Sequence, residues 1–285
     1  MAGARILVID GNVAAMRARQ AAAVGYDSGM GYVRILTRLM PQLRIDIVRP
    51  GDAEPELPPG AALVDYDGAV MTGSALNIYD GGAAVERQVD LVRAVFAAGV
   101  PFFGSCWGLQ VAVTAAGGVV ERNPLGREFG FARRIRLSEA GRAHPLYAGK
   151  PAVFEAPTIH RDSIATLPRD AVALASNEMG LQAAAFVAGR STVWAVQYHP
   201  EYDFIDIAAA GERYGTALVR DGLFADEAAL RAFAADLRQL HANPDDAPLA
   251  WKHGLGPSMT DESLRLAELR NWLEQQAMPR CRDRG

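Results

Sequence analysis

Several things are scarce in this 285-residue chain, and each shortage narrows its chemistry. There are two cysteines, Cys106 and Cys281, far apart in sequence. A lone pair gives neither a disulfide framework nor zinc-ligand spacing, so no metal is expected and each thiol is judged separately. Lysine occurs only as Lys150 and Lys252, and neither sits in a G-x-x-x-x-G-K-[ST] frame, so the usual phosphate-cradling loop is missing. No stretch approaches the ~20 apolar residues needed to span a bilayer. The formal charge of −4, with no Lys/Arg-dense run, offers nothing to a phosphate backbone. Neither nucleic acid nor membrane is expected as a partner. Because MAGARILVID runs straight into a strand pattern without a leader, a cytoplasmic protein is expected.

Half of the residues are apolar, enough to bury a sizeable core. Short β-branched runs at residues 6–9, 45–48, 69–72 and 100–103 alternate with helical stretches. Between the third and fourth runs, Val85, Val89, Val92 and Phe96 recur at helical spacing, and Gly99 and Pro101 end the stripe, which marks a crossover helix. After Gly117-Gly118 the pattern changes to strand-like pieces at 131–137, 152–154, 172–175, 183–187 and 193–197. The expected fold is α/β: a three-layer, flavodoxin-like sheet, mostly parallel, with an antiparallel extension. From residue 206 the composition becomes helical, as in DEAALRAFAADLRQL and ESLRLAELRNWLEQQ. The expected division is a catalytic domain over 1–205 and a helical extension of about two main helices over 206–285. The apolar faces of that extension would pack on the domain, on a second copy of the chain or on a partner enzyme, and its arginine-rich end, with Cys281, is expected to be mobile.

The segment VPFFGSCWGLQVAVTAAGG reads as a buried strand, a tight turn and a helix. Gly104 and Gly108 flank Cys106 two residues to either side, the G-x-C-x-G form of a nucleophile elbow. Helix N–H groups just beyond the sulfur favour thiolate. Without the glycine frame a small buried cysteine would be the better reading. A thiol nucleophile needs a base, and the five histidines are His144, His160, His199, His241 and His253. His199, in WAVQYHPEYD, follows a strand and falls at its carboxyl end, where open α/β sheets place their sites. Glu201 stands two residues on, across Pro200, placed to accept a hydrogen bond from the imidazole. The rival readings are a turn histidine beside a solvated glutamate, and a metal site for which further ligands are lacking. The other histidines show no partner pattern.

GSCWGLQ and QYHPE, about ninety residues apart and in this order, resemble the class I, triad-type glutamine amidotransferases, particularly the glutaminase domain of GMP synthase and its stand-alone relatives. The resemblance runs from about residue 6 to 202. It implies that Cys106 forms a γ-glutamyl thioester, that His199 shuttles protons and that Glu201 orients His199, with no cofactor. It places the oxyanion donors at the N–H of Trp107 and in the turn Gly73-Ser74, where relatives often carry a second glycine. Gln110 matches a glutamine that helps hold the substrate. His160, Arg161 and Asp162 occupy the place of the family's S-H-G-D loop, whose backbone meets the amino-acid end of glutamine. Here Ile159 replaces the serine and Arg161 the glycine. Glu128 and its neighbours match a scaffold piece.

The resemblance leads first to a glutaminase that passes ammonia to an ATP-dependent synthetase on another chain, since residues 206–285 are too few for a synthetase domain. A second reading is a γ-glutamyl hydrolase that uses the same thioester on a γ-glutamyl amine or peptide. A third is a metabolite-binding protein of the same fold, for which Cys106, His199 and Glu201 together would be superfluous.

Overall fold

The computed structural model describes residues 3–284. Its strands are β1 (Arg5–Ile9), β2 (Arg44–Val48), β3 (Gly68–Met71), β4 (Phe102–Ser105), β5 (Val119–Arg122), β6 (Glu128–Leu137), β7 (Val153–His160), β8 (Asp162–Thr166), β9 (Val172–Asn177), β10 (Gly180–Ala188) and β11 (Ser191–Val196). The longer helices are α1 (Ala14–Val24), α2 (Ser28–Leu39), α3 (Ala83–Ala97) and α4 (Trp107–Ala115), then, after the short α5 (Glu139–Ala143), α6 (Phe204–Arg220) and α7 (Glu227–Ala242). The chain ends in α8 (Ala247–Lys252), α9 (Pro257–Thr260), α10 (Glu262–Arg265), α11 (Ala267–Trp272) and α12 (Met278–Arg284), with a π-helical turn at Leu273–Ala277 before the last.

Nine strands form one sheet in the order β2-β1-β3-β4-β11-β10-β9-β6-β7, and β5 pairs with β8 in a small second sheet. From β2 to β11 neighbouring strands run parallel, and from β11 to β7 they run antiparallel. The fold is the α/β sheet with an antiparallel extension that the strand pattern implied.

Both faces of the parallel part are covered, which is why its strands read as unbroken apolar runs. On one face Leu7, Ala69, Met71 and Phe102 meet the α3 stripe of Val85, Val89 and Val92 and the apolar side of α4. On the other, Ile6, Val8, Val70 and Phe103 meet Tyr32 and Leu36 of α2 together with Leu266, Leu269, Trp272 and Ala277 from the chain's end. Trp272 is fully buried beside Phe103, with ring centroids 6.0 Å apart. A Cβ on Gly68 would lie 2.6 Å from the Trp272 ring, so glycine in β3 makes room for that indole.

The C-terminal helices differ from the expected pair. One additional long helix, α6, starts at Phe204 because Asp203 caps it, accepting a hydrogen bond from Ile205 N while its own N–H donates to Asp206. The stretch ESLRLAELRNWLEQQ is broken into α10, α11 and the π-helical turn. Tertiary contacts override its helical periodicity: Lys150 Nζ donates to Leu264 O at 2.8 Å and Arg270 to Ser263 O at 2.9 Å, satisfying carbonyls at the break. The arginine-rich end is helical and docked, since Arg280 donates to Tyr66 O and Gly99 O. Among the described residues, no helix is long and apolar enough to cross a membrane.

Candidate active site

The carboxyl ends of β1, β3, β4 and β11 converge on one cavity of about 710 Å³, lined by Asn12, Gly73, Cys106 and His199 among others. Cys106 is the cap residue ahead of α4, with φ of 52° and ψ of −102°, a strained conformation for a residue with a Cβ. The two glycines make the turn fit. A Cβ on Gly104 would run into the Gly108 carbonyl carbon, and one on Gly108 would lie 2.6 Å from the Met71 carbonyl oxygen. The Cys106 N–H donates to Val196 O at 2.8 Å, which ties the elbow to β11. Its Sγ lies 3.5 Å from Ile159 O.

His199 is buried, its N–H held by Pro157 O at 2.8 Å and its ring stacked on Tyr202 with centroids 4.1 Å apart. Nδ1 donates to Glu201 Oε1 at 2.8 Å, and Nε2 has no oxygen or nitrogen partner among the described residues. Burial alone would lower the imidazole pKa. Glu201 and Cys106, through charge and hydrogen bonding, outweigh it and push the value up to about 10. The arrangement therefore sets an imidazole of raised pKa between the Glu201 carboxyl group and the Cys106 sulfur, a geometry suited to moving a proton beside a thiol.

Glu201 is itself positioned by residues the sequence did not single out. Ser105 Oγ donates to Glu201 Oε1 at 3.0 Å and lies 2.6 Å from Tyr32 OH. A serine one residue ahead of Cys106 has no motif value, and Tyr32 is about 70 positions from Ser105, so only the fold brings them together.

Gly73 packs against the histidine: a Cβ there would be 2.5 Å from His199 Cε1. The turn after β3 is fastened to the loop after β1. Ala75 N donates to Asn12 Oδ1 at 3.1 Å, and Gly11 N donates to Thr72 Oγ1 at 3.0 Å. Gly73 and Ser74 both line the cavity. Trp107 supplies the first N–H of α4, one of the donors a helix start leaves open. Its indole points away, buried, and donates to Gln88 Oε1 at 2.7 Å. Gln110 lines the cavity one turn into α4.

The family resemblance puts His160 in a loop. It ends β7 and lines the cavity, its ring buried with Nε2 2.8 Å from Glu128 Oε2 and Nδ1 3.0 Å from Asp162 O. The β7–β8 turn is thus so tight that both residues flanking Arg161 are strand ends. Asp162 accepts from Tyr79 OH at 2.8 Å, and burial raises its pKa. Arg161 and Asp162 both line the cavity. So do Tyr202, Arg213 and Tyr214, at the start of α6 and along it. Helical periodicity alone could not mark these as site residues.

Residues 24–205 match the glutamine amidotransferase class-I family. The chain is 34% identical over 280 residues to a γ-glutamyl-L-1-hydroxyisopropylamide hydrolase from a Pseudomonas species, an alignment covering 96% of this chain and 94% of that protein. It is 28% identical over 177 residues to the glutamine-hydrolysing GMP synthase of Streptomyces coelicolor, covering 61% of this chain but only 31% of that longer enzyme. Its fold matches the crystal structure of a glutamine amidotransferase from Thermotoga maritima with a TM-score of 0.65 and 18% identity, over 96% of this chain and 98% of that one. On the extent of the family match and the nearly full-length relative, the chain belongs to the class-I glutamine amidotransferases.

Proposed function

We propose that this chain hydrolyses a γ-glutamyl amide through a thioester on Cys106. The sulfur attacks the γ-carbonyl carbon. Charge then develops on the carbonyl oxygen, and the N–H groups of Trp107 and of the Gly73-Ser74 turn receive it; loss of one such donor typically costs about 3 kcal/mol of transition-state stabilisation. His199 passes its Nε2 proton to the amide nitrogen, the C–N bond breaks and the amine leaves. Water then attacks the thioester, His199 takes up its proton, and glutamate departs as the C–S bond breaks. Glu201 keeps the imidazole oriented and stabilises its charged form each time it carries the proton. Arg161 and Asp162 offer opposite charges to the α-carboxylate and α-ammonium of the glutamyl group.

The observation that carries this reading is the extent of the cavity. It continues past Cys106 to Arg213 and Tyr214 of α6, which lie outside residues 24–205, so the chain itself walls a space larger than departing ammonia needs. The similarity to a γ-glutamyl amide hydrolase likewise runs over nearly the whole chain. The second reading, glutamine hydrolysis with ammonia passed to a synthetase on another chain, draws on the shorter match to GMP synthase. Initial rates on glutamine and on a panel of γ-glutamyl amines separate the two. Faster turnover of γ-glutamyl amines is expected. Turnover of glutamine alone, rising when a synthetase is added, would overturn the hydrolase reading in favour of the second.

A further inference from the structure

The cavity has two sides of different charge. The β7–β8 side carries Arg161 and Asp162, and Asp162 is the only carboxylate among the residues that line the cavity. Such a pair suits a zwitterion. The part of the lining that comes from α1 and α6 carries Arg19, Arg213 and Tyr214 and no carboxylate. Among the described residues neither arginine is paired with an acid, whereas neighbouring arginines are: Arg127 to Asp221 at 3.0 Å, and Arg17 to Asp52.

The direction of the chemistry assigns this wall. The leaving amine takes its proton from His199, so it must lie on the histidine's side of the sulfur. Tyr202 stacks on the His199 ring, and the charge of Arg213 bears on the hydroxyls of both Tyr202 and Tyr214. Arg19 bears on Tyr214 as well. Helices α1 and α6 pack together, with Tyr26 OH just beyond α1 donating to Asp206 of α6 at 2.9 Å. Their cavity residues Arg19, Arg213 and Tyr214 fall outside residues 24–205, which match the class-I family.

We propose that Arg213 and Arg19 form a leaving-amine subsite that holds a carboxylate, which makes the preferred substrate a γ-glutamyl amino acid. This inference rests on the γ-glutamyl hydrolase reading and adds the class of amine. A guanidinium presents forked N–H donors that match a carboxylate, while Tyr214 adds a hydroxyl to the same lining.

The test compares γ-glutamylglycine with γ-glutamylglycinamide, which differ only in a carboxylate against a neutral carboxamide. Wild-type kcat/KM should favour γ-glutamylglycine by about 10- to 100-fold, the worth of one charge-assisted contact. Arg213→Gln should collapse that preference toward unity, and Arg19→Gln should lower it by a smaller factor, with thermal melting confirming that both variants fold. Equal rates for the two substrates, faster turnover of the carboxamide, or a preference untouched in Arg213→Gln would each overturn the subsite. Calorimetric titration of both compounds into Cys106→Ala gives a readout independent of turnover. Tighter binding of γ-glutamylglycine without hydrolysis by the wild type would uphold the subsite and refute the hydrolase reading, whereas equal affinities would refute the subsite whatever the enzyme hydrolyses.

Discussion

Position 73 shows how closely the site is fitted at the level of single residues. With 2.5 Å available between a Cβ there and His199 Cε1, Gly73→Ala must displace the imidazole. Misplacement of a catalytic group by about 1 Å can cost around 100-fold, so a fall of that order in kcat is expected with little change in melting temperature. Steady-state kinetics beside a thermal melt check it. The charge on His199 gives a second prediction. Its pKa is raised from 6.5 to about 10 in the fold by Glu201 and Cys106, which overcome burial. The fold therefore gains stability from this group fully at pH below about 6.5, and the gain is lost as pH rises through about 10. Either Glu201→Gln or Cys106→Ala removes one of the two groups that raise this pKa, so imidazole resonances followed by NMR should titrate at lower pH in both variants. An unchanged midpoint would mean that the two groups do not act on His199. Cys106, His199 and Glu201 were visible in the sequence because short motifs carry them. Ser105, Tyr32 and Tyr202 were not, because their roles come from strand-end convergence and ring stacking rather than from spacing.

Among the elements, the turn that bears His199 is gripped from the far end of the chain. Arg265 of α10 donates to Tyr202 O at 2.6 Å, and Glu268 of α11 accepts from Tyr198 OH at 2.6 Å. Glu268 also meets Lys150 at 2.8 Å, with both side chains almost wholly buried. Removing one partner of a buried pair leaves the other uncompensated, which costs about 3–5 kcal/mol. Lys150→Met should therefore lower stability by that order in chemical denaturation, whereas the double change Lys150→Met with Glu268→Leu should recover part of the loss. Arg265→Met should cost about 1–3 kcal/mol through the unpaired carbonyls and lower kcat more than it raises KM, because the turn it frees carries the proposed base. The parallel strands and α3 could be read in advance because a sheet covered on both faces demands unbroken apolar runs and the helix over it an apolar stripe at period 3.6. The breaks among α10, α11 and the π-helical turn could not, since Lys150 and the underside of the sheet impose them.

For the whole molecule, the segment after residue 205 belongs to the same packed body as the sheet. Leu266, Leu269 and Trp272 share a core with β1, β3 and β4, and α6 walls the cavity. Trp272→Ala should cost about 3–5 kcal/mol, the usual range for emptying a buried aromatic site. A chain ending at residue 205 would expose that sheet face and is expected to lose cooperative unfolding; a sharp transition like that of the full chain would show that the sheet stands without it. Composition announced the helices of this segment but not their place, because amphipathic periodicity says that a face is buried without saying against what.

The central claim is covalent catalysis at Cys106. Acid-quenching wild-type protein during turnover of a γ-glutamyl amide, then mapping the adduct by peptide mass spectrometry, tests it directly. One glutamyl acyl group on the peptide containing Cys106, absent from Cys106→Ala, which should also lose hydrolysis, is the predicted result. Hydrolysis retained in Cys106→Ala, or an acyl group found elsewhere, would contradict it.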